Sequence, residues 1–312
     1  MKFEHLNSLG KKREPFLFIS DFLAQNIEVI PLDELKNHDI EFCIDENYQS
    51  NKHNQTFKKQ AIDFKEYKNK FDKIIEHIKS GDTYLLNLTA PTKIDTNLTL
   101  KEIYSYANAS YKLRYKDKFV CFSPEKFIHI KKSLIHTFPM KGTIDASIGD
   151  AKQKILSDKK EMAEHTMVVD LLRNDLSIVA SDVKVEEFRY VQKIDSGEKE
   201  LLQVSSHISG NIGESWHEKI GDILKALLPA GSISGTPKKS TLDIIKNIEG
   251  YNRGFFSGVF GIYDGERFDS GVMIRFVEKT EDGYVYKSGG GITLDSVATL
   301  EYNELLDKVY LP

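Results

Sequence analysis

With 312 residues, 40% of them hydrophobic and 29% charged, and a formal net charge of −4, the chain has the composition of a globular protein with a large core. No apolar run approaches the ~18 residues of a membrane span, and no signal-peptide core follows Met1. Cys43 and Cys121, in unrelated apolar contexts, make neither a disulfide framework nor a zinc site. The reading is a cytoplasmic protein outside membranes. Its mild acidity excludes a general nucleic-acid binder, so any anion site must be built locally.

In chain order, Phe16 to Ile19 and Ile27 to Ile30 predict short strands, and the polar stretch Asn51 to Lys59 a linker or exposed loop. Residues 1–60 therefore read as a short N-terminal extension packed on the core, and 61–312 as the main domain. Phe64, Tyr67, Phe71, Ile74, Ile75 and Ile78 recur at helical spacing until Ser80-Gly81. Thr83 to Thr89 predicts a strand ended by Pro91, followed by a helix from about Leu100 to Ala109 and a strand at Lys118 to Phe122. Asp158-x-x-Glu161 opens a long helix to Asn174 in the manner of a capping box. Trp216 to Leu228 predicts a helix, and Thr236 with Pro237 an N-cap and first residue for the next one. Asp264-Gly265 and Asp282-Gly283 separate β-rich runs at about 253–263, 267–278 and 284–292, which predicts an antiparallel meander with type I′ turns. A last helix holds Val297 to Val309. Fifteen of the 20 glycines lie between Gly210 and Gly291, so the C-terminal third needs bare backbone for turns or for close approach to a ligand.

Two helices each carry glutamates three apart, Glu161 with Glu164 and Glu301 with Glu304. Each pair projects from one helix face, and two facing pairs make an all-oxygen site suited to Mg²⁺, although surface charge is the commoner use of such spacing. Phe138-Pro139-Met140-Lys141-Gly142-Thr143 sets a lysine in a half-buried, glycine-bounded turn, where desolvation would lower its pKa and make it a nucleophile or base. Glu125, in the turn Ser123-Pro124-Glu125, is a candidate acid to pair with it. Ser288-Gly289-Gly290-Gly291 and Gly231-Ser232-Ile233-Ser234-Gly235 can offer backbone N–H groups to carboxylates or phosphates, and neither fits a Walker loop or a dinucleotide fingerprint. Arg253 and Arg275 can bind carboxylates bidentately. His207 reads as structural.

These segments, taken in order from about Phe64 to Lys308, resemble the chorismate-utilising enzyme family, and within it the aminodeoxychorismate synthases. The resemblance is carried by Gly81-Asp82-Thr83, Ser123-Pro124-Glu125-Lys126-Phe127, Pro139-Met140-Lys141-Gly142-Thr143, Ala163-Glu164-His165 running into Val169-Asp170-Leu171-Leu172-Arg173-Asn174-Asp175, Leu228-Pro229-Ala230-Gly231-Ser232, Ile274-Arg275, and Gly289-Gly290-Gly291-Ile292 followed by Glu301-x-x-Glu304. It implies an α+β fold of two packed antiparallel sheets flanked by helices, with the site between them. It implies Mg²⁺ held by Glu164 and Glu304, with Glu161 and Glu301 as further or water-mediated ligands. It also implies substrate contacts from Arg275, Gly289, Gly290, Gly291, Thr143 and Ser232.

The lysine marks the subclass. Anthranilate synthases resemble this chain but carry alanine where Lys141 stands. The implied reaction is amination of chorismate to 4-amino-4-deoxychorismate, the precursor of 4-aminobenzoate in folate synthesis, with Lys141 as nucleophile and Glu125 as acid. No lysine lies in Thr83 to Thr89, where family members that add water carry one. Neither cysteine sits in a glutaminase-type elbow, so ammonia comes free or from a glutamine amidotransferase subunit. Leu85 stands where the resembled enzymes carry glutamine, and no tryptophan-binding Leu-Leu-Glu-Ser element is present, so no tryptophan feedback is expected. The alternatives are an anthranilate synthase component I or a silent chorismate-binding subunit.

Overall fold

A computed structural model describes residues 2–44, 55–195 and 200–312. Two antiparallel sheets form its framework. One runs Met140–Asp145, Glu200–Asn211, Leu134–Thr137, Lys126–Lys131, Arg267–Val272, Val259–Tyr263, Phe16–Ser20, Ile27–Pro31, with Ser181–Asp195 also paired to Glu200–Asn211. The other runs Gly235–Thr236, Leu85–Thr96, Gly283–Ile292, Phe276–Thr280, Phe119–Ser123, Tyr111–Tyr115, Ile40–Ile44, with Phe57–Gln60 also on Leu85–Thr96. Leu17 and Phe260 of the first sheet meet Leu113 and Phe119 of the second in one buried cluster, so the sheets pack face to face. Eight helices flank them among the described residues: α1 Lys2–Lys12, α2 Phe64–Lys79, α3 Leu100–Tyr106, α4 Ala151–Ser157, α5 Lys159–Ser177, α6 Ile220–Leu227, α7 Lys238–Ile248 and α8 Ala298–Asp307.

Most expected elements occur within a few residues. Asp158 caps α5 by accepting from Glu161 N–H, and Tyr67, Phe71, Ile74 and Ile78 are the buried face of α2. Five details differ. Helix α1 was not expected; it packs on the 214–227 segment, and a Cβ on Gly10 or Gly221 would lie 2.0 Å from the His217 carbonyl or 1.9 Å from that of Phe3. Of the polar stretch 51–59, residues 51–54 lie outside the described residues, while Phe57–Gln60 is an edge strand. The strand Leu85–Thr96 runs through Pro91, which lies between the parts paired to Gly235–Thr236 and to Phe57–Gln60, where that edge has no strand neighbour among the described residues. Helix α7 begins at Lys238, with Pro237 as its cap residue.

The fifth difference shapes the site. The expected meander is two hairpins in different sheets: Val259–Tyr263 with Arg267–Val272, and Phe276–Thr280 with Gly283–Ile292. Residues 273–275 carry the chain across, and Arg275 takes a left-handed backbone (φ +52°) at the crossing. Neither turn is type I′, because Asp264, Glu281 and Asp282 all lack positive φ. Asp264 instead accepts the N–H groups of Glu266 and Arg267 on its carboxylate.

Behind the wall of a cavity that opens between the sheets lies a buried ion pair. Arg253, 2% exposed, donates to both oxygens of Glu249 and to the carbonyls of Ile233 and Asn87. It thus ties a loop and a strand of the cavity wall together. Arg253→Ala would strand the Glu249 charge, and the expected loss is about 3–5 kcal/mol, read from the denaturation midpoint. An unchanged midpoint would show that the pair does not hold this wall.

Candidate active site

A cavity of about 220 Å³ opens between the sheets, lined by Leu85, Glu125, Lys141, Glu164, Arg275 and Glu304 among others. Lys141 reaches it through a β-bulge. Met140 pairs with Ser205 and Thr143 with Gln203, so three residue steps on one strand oppose two on the other. Gly142 supplies the positive φ (+91°) that this step needs. The extra residue re-aims the strand, and the Lys141 ammonium lies 2.8 Å from Glu164 Oε2.

That ion pair corrects the expected protonation. Burial works to lower the Lys141 pKa, but the carboxylates of Glu164, Glu304 and Glu161 outweigh it and hold the amine above the ordinary lysine value. Glu125 behaves as an acid should. Burial pushes its carboxyl above the usual range, against the lowering effects of the Ser232 hydrogen bond and the charges of Arg275 and Lys308. Ser232 donates from its hydroxyl to Glu125 at 2.5 Å.

Ser232→Ala therefore carries a signed prediction. The lost donor stabilised the ionised carboxylate, so the Glu125 pKa rises further and the alkaline limb of kcat/KM moves to higher pH, with a rate change within about tenfold. A limb that stays in place would separate Glu125 from the acid role.

Helices α5 and α8 point their glutamates toward each other. Lys160 spans the gap, 3.4 Å from Glu164 Oε1 and 4.0 Å from Glu301 Oε1. Glu164 and Glu304 line the cavity, while Glu161 and Glu301 stand behind them. Burial raises the pKa values of Glu161 and Glu301; Glu304 is lowered, because Lys308 and Lys141 overcome its burial. Among the described residues, no three His, Cys, Asp or Glu side chains converge closely enough to hold a metal as they stand. Ammonium groups are the cations here. Yet the buried oxygen Glu161 Oε2 has no hydrogen-bond partner among the described residues, and Glu164 Oε1 has only the 3.4 Å ion contact from Lys160; acceptor atoms in that state suit a hard divalent cation.

Along residues 289–291 the glycine strand has a strand neighbour on one side only among the described residues. Gly289, Gly290 and Gly291 pair with Thr89, Leu88 and Asn87 on one side, whereas Phe276–Thr280 covers only residues 283–287 on the other. Gly289 and Gly291 line the cavity. Gly290 alternates away from them; a Cβ there would sit 3.6 Å from Glu301 Oε2 and 3.8 Å from Glu304 Oε1. Arg275 lines the same cavity and donates to the Tyr310 hydroxyl at 3.2 Å. Thr143 and Ser232 line it too.

Two charged residues escaped the sequence reading. Lys308 donates to the Gly289 carbonyl at 2.9 Å and pairs with Glu304 at 2.6 Å, and burial lowers its pKa against that carboxylate. Its i,i+4 spacing from Glu304 was the available signal. Lys160, four residues before Glu164, carries the same signal. His207 lies outside the cavity lining and hydrogen-bonds His136 at 3.0 Å.

The fold and this cavity define a chorismate-utilising enzyme, and residues 22–311 match the family of chorismate binding enzymes; the chain belongs to that family. An uncharacterized PabA-like protein of Haemophilus influenzae is 45% identical over 99% of this chain and 95% of its own length. The aminodeoxychorismate synthase component 1 of Bacillus subtilis is 30% identical over 77% of this chain, which spans 53% of that relative. Among solved structures, a putative 2,3-dihydroxybenzoate-specific isochorismate synthase from Bacillus anthracis superposes with a TM-score of 0.72 at 20% identity, covering 98% of this chain and 85% of that one. It shares the fold. No helix among the described residues is long and apolar enough to cross a membrane.

Proposed function

We propose that the protein aminates chorismate at C4 with ammonia, giving 4-amino-4-deoxychorismate, as an aminodeoxychorismate synthase component I. The observation that carries this reading is the bulge that turns Lys141 into the cavity also lined by Glu125, whose carboxyl burial pushes above the usual range. Arg275 and the amides of Gly289 and Gly291 hold the substrate carboxylates, with Thr143 at the wall. Once Lys141 has given its proton to solvent, its amine adds at C2, both ring double bonds shift (C1=C2 to C1=C6 and C5=C6 to C4=C5), and Glu125 protonates the C4 hydroxyl that leaves as water. Ammonia then attacks C4, both double bonds shift back, and the C2–N bond breaks to return the lysine.

Glu164 and Glu304, with Glu161 and Glu301 around them, would hold Mg²⁺. When bound, it supplies positive charge for a substrate carboxylate and offsets the carboxylates that retain the Lys141 proton. The wording "component 1" in the names of relatives supports a second subunit, a glutamine amidotransferase, as the source of ammonia. Incubation with chorismate, ammonium and Mg²⁺, with and without a lyase, followed by mass identification, tests the reading. Anthranilate as product would make it an anthranilate synthase, and no turnover a silent binding subunit.

A further inference from the structure

The bulge has a backbone cost of its own. Lys141 and Gly142 are without register partners among the described residues, and a bulge leaves its extra residue outside the ladder. The Lys141 carbonyl instead faces His165 Nδ1 at 3.4 Å. His165 is fully buried, and its Nε2 lies 2.7 Å from Ser206 Oγ. We propose that His165 is a positioning residue that fixes the nucleophile by holding the carbonyl of Lys141 in its bulge.

The donors and acceptors along this path assign themselves. A carbonyl only accepts, so Nδ1 carries the imidazole proton and Nε2 is left to accept the Ser206 hydroxyl proton. Ser206 Oγ in turn accepts the Arg189 N–H at 2.9 Å, and Ser206 N–H donates to the Pro139 carbonyl at 3.0 Å. Arg189 is anchored through its guanidinium to the carbonyls of Ile155 and Leu156 at the end of α4. Because Glu164 precedes His165, the same turn of α5 holds both the side chain and the backbone of Lys141.

This inference rests on Lys141 being the reacting residue, but its test does not need turnover. Acetic anhydride labelling of the full chain, read lysine by lysine by mass spectrometry, reports how freely each amine reacts. In His165→Ala the relaxed bulge should release the amine from Glu164, and Lys141 should label about tenfold faster, while Lys70 and Lys287 keep their rates. His165→Asn, whose amide can donate near the Nδ1 position, should restore the original rate, and Ser206→Ala should fall between. In turnover the loss should appear in kcat and leave KM nearly unchanged.

An unchanged Lys141 rate in His165→Ala overturns the proposal, as does equal acceleration of all three lysines, which would mean general loosening. If His165→Ala does not fold, the other two variants decide. A faster Lys141 in Ser206→Ala with a normal rate in His165→Asn supports the proposal, and any other pattern overturns it. A chain that makes a different product leaves the labelling result standing, and a failed labelling result leaves the amination reading standing.

Discussion

Lys141→Ala should lose amination of chorismate by on the order of 10³-fold or more, or divert the remaining turnover to anthranilate. Two effects are combined in that variant, because Lys141 is both the proposed nucleophile and the nearest cation to Glu164, at 2.8 Å. Lys141→Arg separates them. It keeps a positive charge beside Glu164 but offers no nucleophile, so it should be as inactive as the alanine variant while retaining more of the parent's stability. Full activity in either variant, measured as 4-amino-4-deoxychorismate formed, would sink the covalent role.

Glu304→Gln should weaken Mg²⁺ binding by at least about 100-fold, with most activity lost. The substitution keeps the size of the side chain but removes a charge that burial disfavours and that Lys308 and Lys141 keep ionised. Calorimetric titration with Mg²⁺ reads the binding loss without turnover. Equal Mg²⁺ affinity and full activity in the variant would refute a metal site on α5 and α8.

The site was legible where chemistry and spacing coincide. Glu161, Glu164, Glu301 and Glu304 announced themselves as paired carboxylates on two helices, and the structure turns the helices toward each other through Lys160. Lys141 was visible from the glycine that follows it, but not its charge state. Three carboxylates distant in sequence set that state, and no local pattern records them. The meander failed for a related reason. Alternation with period two shows that residues 259–292 form strands but not which sheet each joins, and the switch rests on the backbone of residues 273–275. Helix α1 has only Leu6 and Leu9 as buried apolar residues, with Gly10 beside them, too few to give a periodic signal over eleven residues.

The crossing at residues 273–275 bears on how activity arises during folding. Glu125 stands between strands of opposite sheets, Lys141 belongs to one sheet and Gly289 to the other, and Glu164 and Glu304 sit on helices 140 residues apart in sequence. No hairpin contains a working subset of them, and the one helix pair that does, α5 with α8, carries only the carboxylates. Contacts of such long sequence separation close late, after local turns and hairpins. The cavity therefore comes into being only when the two sheets dock, and ligand binding is a measure of the completed sandwich, not of secondary structure already in place.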